Sequence, residues 1–490
     1  MSITRSGGVL MPVSSLHSPY GIGTFGKAAY EFVDFLKQSG AKLWQVLPLG
    51  PTGFGDSPYQ SFSAFAGNPY FIDLDMLIAE GLLTEKDLQN LKYNDETVDY
   101  ESIYNTRFDC LYKAFSRFDV SDGEFLNFCL KNKAWLEDYS FYMAVKNYFD
   151  QKSWSFWDKE IKNREKSKIE QYKTKLKDEI SFYKFLQFKF FSQWYALKAY
   201  ANENGIKIVG DIPIYVAMDS ADTYFNPQLF QFDEQLSPVA VAGCPPDAFS
   251  ETGQLWGNPL YNWDNHEKDG FKWWISRIEH CFNMYDIVRI DHFRGFESYY
   301  SIDAKSDTAI NGKWEKGPGM KLFKAIKSAL GDVDIIAEDL GFLTNKVYTL
   351  LKRSGFCGMK VLQFAFDELS NENKYLPHNY DKNCVVYTGT HDNTTTLDYY
   401  KKARPAVKRY IRSYLNCSGK NVSEAFVRAA YASTAVMAIV PMADLLNLGQ
   451  EGRINTPSTL GNNWLWRITK AQLCPEVAEK LKHFTTLYGR

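Results

Sequence analysis

Apolar and polar positions alternate along this chain on two length scales. Apolar residues recur every three or four positions over 24–39, 182–204, 270–285, 319–331 and 344–355, a spacing that predicts amphipathic helices. Each of these segments is followed by a short run that is almost uniformly apolar, as is typical of a parallel strand covered on both faces. The pattern therefore predicts an α/β protein built from repeated helix and strand units.

Buried strands are predicted where a short apolar run stands between helices or turn residues. The candidates lie at 42–48, 69–74, 206–213, 287–291, 334–340, 359–366, 384–392 and 437–442. Eight strands with intervening helices over 490 residues predict a (β/α)8 TIM barrel as the fold class. No short internal repeat or low-complexity tract is visible, so a solenoid is not expected and 1–490 is predicted to form a single catalytic barrel.

The predicted strands are unevenly spaced. The stretch of about 75–200 reads as helical and rich in charge, with opposite charges three or four positions apart in 158–180. We interpret it as an inserted, mostly helical subdomain between barrel strands 2 and 3, with a solvated charged face. A second insertion, over about 220–265, is predicted to form a loop region of the active site.

The bulk composition excludes several classes of protein. A formal net charge of −2 argues against a nucleic-acid-binding surface, which concentrates Lys and Arg on one face. The longest apolar run, 429–443, is shorter than the roughly 18 to 20 residues of a membrane span, so no membrane partner is expected. Eight cysteines without a Cys-x-x-Cys pair, and no signal-peptide pattern, favour a cytoplasmic location.

Polar side chains follow four of the predicted strands at their carboxyl ends, where barrel active sites are built. One acid in such a place is more often a helix cap or a turn residue, but four strands with such groups are harder to dismiss. The candidates are Asp211, Arg289, Asp291, Glu338, Asp339, His391 and Asp392.

Cleavage of a glycosidic bond needs one protonated carboxyl and one ionised carboxyl, in different electrostatic surroundings. Residues i and i+2 of a strand share a face, so Arg289 is expected beside Asp291, keeping it ionised as a nucleophile. Glu338 follows an apolar run, and loss of solvent favours its neutral form, which suits a general acid. Asp392, beside His391, is expected to accept hydrogen bonds from ring hydroxyls of the sugar.

Aromatic residues make up 16% of the chain, and several lie in polar, Gly/Pro-rich segments. Large aromatics mostly fill protein cores, but in such loops they also suit the apolar C–H faces of sugar rings. Two segments show this pattern, "GFGDSPYQSFSAF" and "GQLWGNPLYNW".

Several motifs resemble those of a known family. "VRIDHFRGF", "IIAEDLG" and "GTHDNTTT" resemble the active-site segments of the α-amylase clan. "GFGDSPYQSFSAFAGNPYFIDL", "GDIPIYVAMDSAD", "GCPPDAFSETGQLWGNPLYNW" and "RINTPSTLGNNWLWR" are similar to blocks of the 4-α-glucanotransferases, or amylomaltases, of glycoside hydrolase family 77. The resemblance extends from about position 7 to position 467.

The resemblance implies a retaining (β/α)8 barrel with inserted subdomains and no C-terminal β-sandwich domain. It implies Asp291 as nucleophile, Glu338 as general acid/base and Asp392 as transition-state stabiliser. The sugar-binding residues that it implies are Tyr59 beneath the donor sugar, Asp211, Arg289 and His391 around it, Trp256 and Asn463 along the glucan, and Phe249 on the acceptor side.

The implied reaction moves an α-1,4-glucan segment from a maltooligosaccharide, or from an amylose- or glycogen-derived glucan, to the 4-OH of another glucan or of glucose. No cofactor and no metal are expected. The seven histidines show no His-x-x-x-His spacing, and no calcium-loop pattern is present.

Three alternatives stay open at this stage. One is an α-1,4-glucan hydrolase of the same clan, which would share all three carboxylates. Another is a non-catalytic glucan-binding barrel, although none of the three acids is lost. The third is a metal-dependent hydrolase, suggested only by the His–Asp pairs at 291–292 and 391–392.

Overall fold

The computed structural model describes residues 4–53, 55–246, 250–341 and 343–490. Within them the strands are β1 Ser6–Leu10, β2 Leu43–Gln45, β3 Lys207–Ile212, β4 Ala240–Cys244, β5 Gln254–Pro259, β6 Ile287–Ile290, β7 Ser298–Asp303, β8 Lys313–Lys316, β9 Ile335–Ala337, β10 Gly358–Val361, β11 Cys384–Tyr387 and β12 Met437–Pro441.

Eight of these strands form a parallel sheet in the order β10-β11-β12-β1-β2-β3-β6-β9. The sheet curls until its two ends meet. Ala337 N donates to Cys357 O at 2.8 Å and Cys357 N donates to Ile335 O at 3.1 Å, which joins β9 to the start of β10. The predicted (β/α)8 barrel is therefore confirmed.

The helices are α1 Lys27–Gln38, α2 Leu74–Ala79, α3 Glu85–Leu88, α4 Tyr100–Ser116, α5 Gly123–Lys131, α6 Lys133–Tyr148, α7 Lys159–Lys162, α8 Lys166–Lys175, α9 Lys177–Glu203, α10 Ala221–Phe225, α11 Trp263–Lys268, α12 Lys272–Met284, α13 Met320–Leu330, α14 Asn345–Ser354, α15 Thr396–Lys402, α16 Pro405–Leu415, α17 Val422–Ala432, α18 Met442–Leu445 and α19 Pro475–Leu487. All five helices predicted from the apolar spacing are present, as α1, α9, α12, α13 and α14.

One of the eight predicted strands was wrong. The run 69–74 forms a 3-10 helix, Pro69–Phe71, followed by the start of α2. Asn68 accepts a hydrogen bond from Tyr70 N, and Asp73 accepts one from Met76 N, so two capping side chains turn this apolar run into helix starts.

The barrel strand that the prediction missed is β1. Its sequence, SGGVL, has two glycines and therefore little apolar character. A Cβ on Gly7 would lie 2.6 Å from the ring of Tyr431, and one on Gly8 would lie 2.4 Å from Leu43 Cβ. These positions need glycine because neighbouring elements pack directly against the strand backbone.

Helices α2 to α9 lie between barrel strands β2 and β3, in the stretch of about 75–200. The long helix α9 packs on β3 and α1 of the barrel and also on α4, α5, α6 and α8. Aromatic rings fill this second contact, as in the stacking of Tyr112 on Phe182 at 3.7 Å. The division of this stretch into a separate subdomain stays a prediction.

The other four strands form an antiparallel sheet in the order β5-β4-β7-β8. Its strands β4 and β5 belong to the predicted loop insertion of about 220–265, while β7 and β8 follow barrel strand β6. This small sheet therefore lies in the connections that leave the carboxyl ends of β3 and β6.

Candidate active site

Strand register brings the predicted acids together at one end of the barrel. Asp211 of β3 pairs with Arg289 of β6, and Ile290 of β6 pairs with Ala337 of β9. Asp291 and Glu338 are the next residues on adjacent strands, so both emerge at the same rim of the barrel. Sequence spacing placed each acid after a strand, and the register makes two of them neighbours.

Arg289 links two of these carboxylates. Its Nη1 donates to Asp211 Oδ1 at 2.7 Å and to Asp211 Oδ2 at 2.5 Å, and its Nη2 donates to Asp291 Oδ1 at 2.8 Å. Burial alone would lower the pKa of Arg289, but the two carboxylates raise it well above its usual value. The guanidinium is therefore a permanent cation beside Asp291, where the strand spacing predicted it.

Glu338 has different surroundings. Its Oε1 accepts from Leu340 N and its Oε2 accepts from His292 N, both at 2.8 Å. Burial, and then the negative charge of Asp291, raise the pKa of Glu338 to about 8, although Arg289 opposes the rise. Glu338 thus carries a proton at neutral pH.

His292 owes its contact with Glu338 to an unusual backbone conformation. It is left-handed, with φ 51° and ψ 47°, and this turns its N–H toward the Glu338 carboxyl. Burial lowers the pKa of its ring to about 4, so the ring is neutral. The ring meets Trp256 edge-on at 4.9 Å between centroids. Nothing in the sequence predicted this hydrogen bond from the His292 backbone to Glu338.

Tyr59 connects the strand ends on the other side of the site. Its hydroxyl lies 2.8 Å from Asp211 Oδ2 and 2.9 Å from His391 Nε2. Burial, and then the charge of Asp211, raise the pKa of Tyr59 well above its usual value, so the hydroxyl stays protonated. It donates a hydrogen bond to Asp211 Oδ2. His391 Nε2 must then carry a hydrogen and donate it to the tyrosine oxygen.

Asp392 completes the group of carboxylates. Its Oδ1 accepts from Asn455 Nδ2 at 2.7 Å and lies 3.4 Å from His391 Nε2. With Tyr59, Asp211 and Arg289, these contacts make a continuous polar network from Asp392 to Asp291. Such networks hold their members in one geometry more firmly than separate pairs do.

The structure also shows site residues that sequence reasoning missed. Asn455 and Trp464 lie in the "RINTPSTLGNNWLWR" block, in which only Asn463 was singled out. The Trp464 ring is 6.0 Å from the rings of both Tyr59 and His391. The block was a usable signal, but its sequence does not say which of its residues face the site.

Three further residues were predicted to bind sugar, and the structure gives the position and contacts of two of them. Trp256 lies on β5, partly exposed, next to the turn that carries His292. Asn463 uses its side chain to hold its own loop, accepting from Thr456 N at 2.9 Å and donating to Thr459 O at 3.1 Å. Phe249 lies outside the described residues. Contacts of these three with sugar stay predictions.

Among the residues that the structure describes, no group of three or more His, Cys, Asp or Glu side chains could hold a metal ion. In the same part of the chain, no helix is both long and apolar enough to cross a membrane.

Comparison with known sequences gives a consistent result. The family model described as 4-alpha-glucanotransferase, of glycoside hydrolase family 77, matches residues 11–472. The 4-alpha-glucanotransferase of Clostridium butyricum is 51% identical over 98% of this chain and 100% of its own length. That of Streptococcus pneumoniae is 52% identical over 99% of this chain and 97% of its own length.

Solved structures agree. The amylomaltase from Streptococcus agalactiae in complex with acarbose is 42% identical, with a TM-score of 0.97 over 99% of both chains. The amylomaltase from Corynebacterium glutamicum, at 17% identity, has a TM-score of 0.80 over 99% of this chain and 75% of its own, which shows a shared fold.

Proposed function

The chain belongs to the 4-α-glucanotransferase family, which moves segments of α-1,4-glucan between glucan chains, and we propose that it does so by a retaining double displacement at Asp291, Glu338 and Asp392. The observation that carries this proposal is the unequal surroundings of two adjacent carboxyls. Asp291 is paired with the Arg289 cation, while burial raises the pKa of Glu338 to about 8. That difference supplies one nucleophile and one acid.

In the first step, Asp291 attacks the anomeric carbon of the donor glucan. Its Oδ1 is bound to Arg289, and no described residue bonds Oδ2, so Oδ2 is the attacking oxygen. Glu338 gives its proton to the glycosidic oxygen as that bond breaks, and the leaving glucan departs with a free 4-OH. Asp392 accepts hydrogen bonds from ring hydroxyls, which strengthen as the sugar flattens toward an oxocarbenium ion.

In the second step, the Glu338 carboxylate removes the proton from the 4-OH of the acceptor. The acceptor oxygen attacks the same anomeric carbon and releases Asp291, so the product keeps the α configuration. Glu338 regains its proton in this step and is ready for the next donor. The two backbone N–H groups from His292 and Leu340 hold its carboxyl in place in both steps.

Transfer instead of hydrolysis requires that an acceptor glucan compete with water. A glucan held by stacking and hydrogen bonds gains a large effective concentration over a mobile water molecule. We propose that Trp256, which is partly exposed beside His292, holds the acceptor together with Phe249. If Trp256→Ala leaves the ratio of transfer to hydrolysis unchanged, this role of Trp256 is wrong.

The proposal includes the sugars and the compartment. Donors are maltooligosaccharides or amylose- and glycogen-derived glucans, and glucose is the smallest acceptor. Tyr59 stacks beneath the donor sugar, Asp211 and His391 bind its hydroxyls, and Asn463 contacts the glucan. All eight cysteines are free thiols, which supports a reducing, cytoplasmic compartment.

Incubation with maltotriose tests the reaction. We expect a ladder of longer glucans together with glucose, because each transfer lengthens one chain and shortens another. A mixture that contains only sugars shorter than the substrate would instead mean hydrolysis. Asp291→Asn, with its near-identical shape, should form neither product, since the attacking oxygen is lost.

A further inference from the structure

The carboxyl group of Asp392 is held from one side only. Its side chain is 43% exposed at the mouth of the barrel. Oδ1 accepts from Asn455 Nδ2 at 2.7 Å, while His391 Nε2 stands at the longer distance of 3.4 Å from the same oxygen. Across the described ranges, no residue donates to Oδ2, so that oxygen is open to a ligand.

Three hydrogen bonds to backbone carbonyls hold the segment that carries Asn455 against the residues that follow strand β11, and two of them involve Asn455 itself. The N–H of Asn455 donates to His391 O at 3.1 Å, and its own carbonyl accepts from Arg453 Nε at 2.8 Å. Arg453 Nη2 also donates to Asp392 O at 3.3 Å. These hydrogen bonds join the backbone at 391–392 to the segment 453–455. The Asn455 side chain is therefore already held in the position from which it contacts Asp392.

The two carboxylates Asp291 and Asp392 differ in the group that donates a hydrogen bond to each of them. Asp291 is held by the Arg289 cation, which offsets its charge. Asp392 is held at its shortest contact by a neutral amide, which fixes the position of the carboxylate but leaves its negative charge in place. A carboxylate held at a fixed position beside the developing positive charge is what an oxocarbenium-like transition state needs.

We propose that Asn455 is a positioning residue for the transfer reaction: its amide fixes Asp392 Oδ1 so that Oδ2 meets the hydroxyl groups of the donor sugar. The inference rests on the proposed role of Asp392 in transition-state stabilisation. It also gives the loop 453–467 a second task, because the segment that carries Asn463 then controls the carboxylate as well.

The first test compares kcat and KM for maltotriose in two variants of the same loop. Asn455→Ala should lower kcat roughly ten- to a hundredfold, the worth of a hydrogen bond to a charged group, with little change in KM. Thr459→Ala is the matched control. Thr459 Oγ1 donates to Thr456 O at 2.7 Å and accepts from Asn463 at 3.1 Å, so its loss loosens the loop without touching Asp392. Its kcat should stay within about twofold of wild type.

The second test uses Asn455→Asp, a near-isosteric change. It places a second carboxylate against Asp392, and two carboxylates in contact share a proton. Asp392 acts as a carboxylate, so sharing a proton with a second acid inactivates it at a higher pH. The pH below which the rate falls should therefore be higher in this variant than in wild type. A residue that only supports the fold would leave that pH unchanged, whatever it does to thermal unfolding.

Asp392→Asn separates this inference from the function it rests on. If that variant is as active as wild type, the proposed role of Asp392 fails. If it is inactive while both Asn455 variants behave as wild type, only the positioning role fails. An Asn455→Ala variant that raises KM at constant kcat, or that loses no more kcat than Thr459→Ala, would also overturn the proposal.

Discussion

The stability of a Glu338→Gln variant relative to wild type should increase as the pH rises. The pKa of Glu338, about 8 in the folded protein, lies above its ordinary value of 4.5. The folded protein therefore keeps this proton to higher pH than the unfolded chain does. The stability that Glu338 contributes is fully present below pH 4.5 and is lost as the pH rises through about 8. Gln cannot ionise, so the variant avoids that loss.

The size of the effect follows from the shift. About 3.5 pH units at 1.36 kcal/mol each set an upper limit of about 5 kcal/mol, and relaxation of a partly exposed site reduces it to roughly 1–3 kcal/mol. For a chain of 490 residues, an unfolding entropy of about 2.1 cal/mol/K per residue converts 1 kcal/mol into about 1 °C of Tm. The Tm of Glu338→Gln relative to wild type should thus rise by about 1–3 °C between pH 5 and pH 9.

Calorimetry of both proteins at each pH unit in that range tests this reasoning. Both oxygens of Glu338 accept backbone N–H groups, so the Gln amide loses one hydrogen bond, at a cost that does not vary with pH. The change of the Tm difference with pH is therefore the quantity to compare. Glu234→Gln, at an exposed acid, is the control and should show no such trend. A flat Tm difference for Glu338→Gln would refute the protonated Glu338.

Two further predictions concern the network and the buried histidines. Tyr59→Phe keeps the ring stacked on His391 but removes the hydroxyl that joins it to Asp211, so kcat/KM for maltotriose should fall roughly ten- to a hundredfold; an unchanged value would contradict the network. Burial lowers the pKa of His266 and of His280 from 6.5 to about 4, so the unfolded chain binds their protons first. The unfolding free energy of wild type relative to a His266→Gln, His280→Gln double variant, measured with denaturant, should therefore fall by up to about 2.7 kcal/mol per pH unit as the pH falls from 6.5 to about 4. A difference that stays constant over this range would refute neutral rings.

The fold could be predicted from sequence where local pattern and tertiary structure agree. Strands β3, β6, β9 and β11 are buried on both faces and read as apolar runs. The signal fails for β1, because its glycines serve contacts with Tyr431 and Leu43 that are far away in the chain. It fails at 69–74 in the opposite sense, because the capping residues Asn68 and Asp73 outweigh an apolar run.

The candidate site also contains some contacts that the sequence predicts and others that it does not. Arg289 and Asp291 could be placed side by side because two residues along one strand share a face. The contact of Asn455 with Asp392 spans 63 positions, and the left-handed backbone of His292 is set by its surroundings. Neither leaves a local pattern in the sequence, so only the structure brings them to the carboxylates.

In the proposed mechanism, Asp291 carries the glucan between donor and acceptor. Glu338→Gln, given a maltosyl fluoride, needs no acid to release fluoride but lacks the base that activates the acceptor, so the intermediate should accumulate. Mass spectrometry of its peptides should then find the one that contains Asp291 heavier by the transferred sugar, and the Asp291→Asn double variant should show no such peptide. Release of fluoride with every peptide unmodified, or an adduct on a residue other than Asp291, would contradict the role of Asp291 as nucleophile.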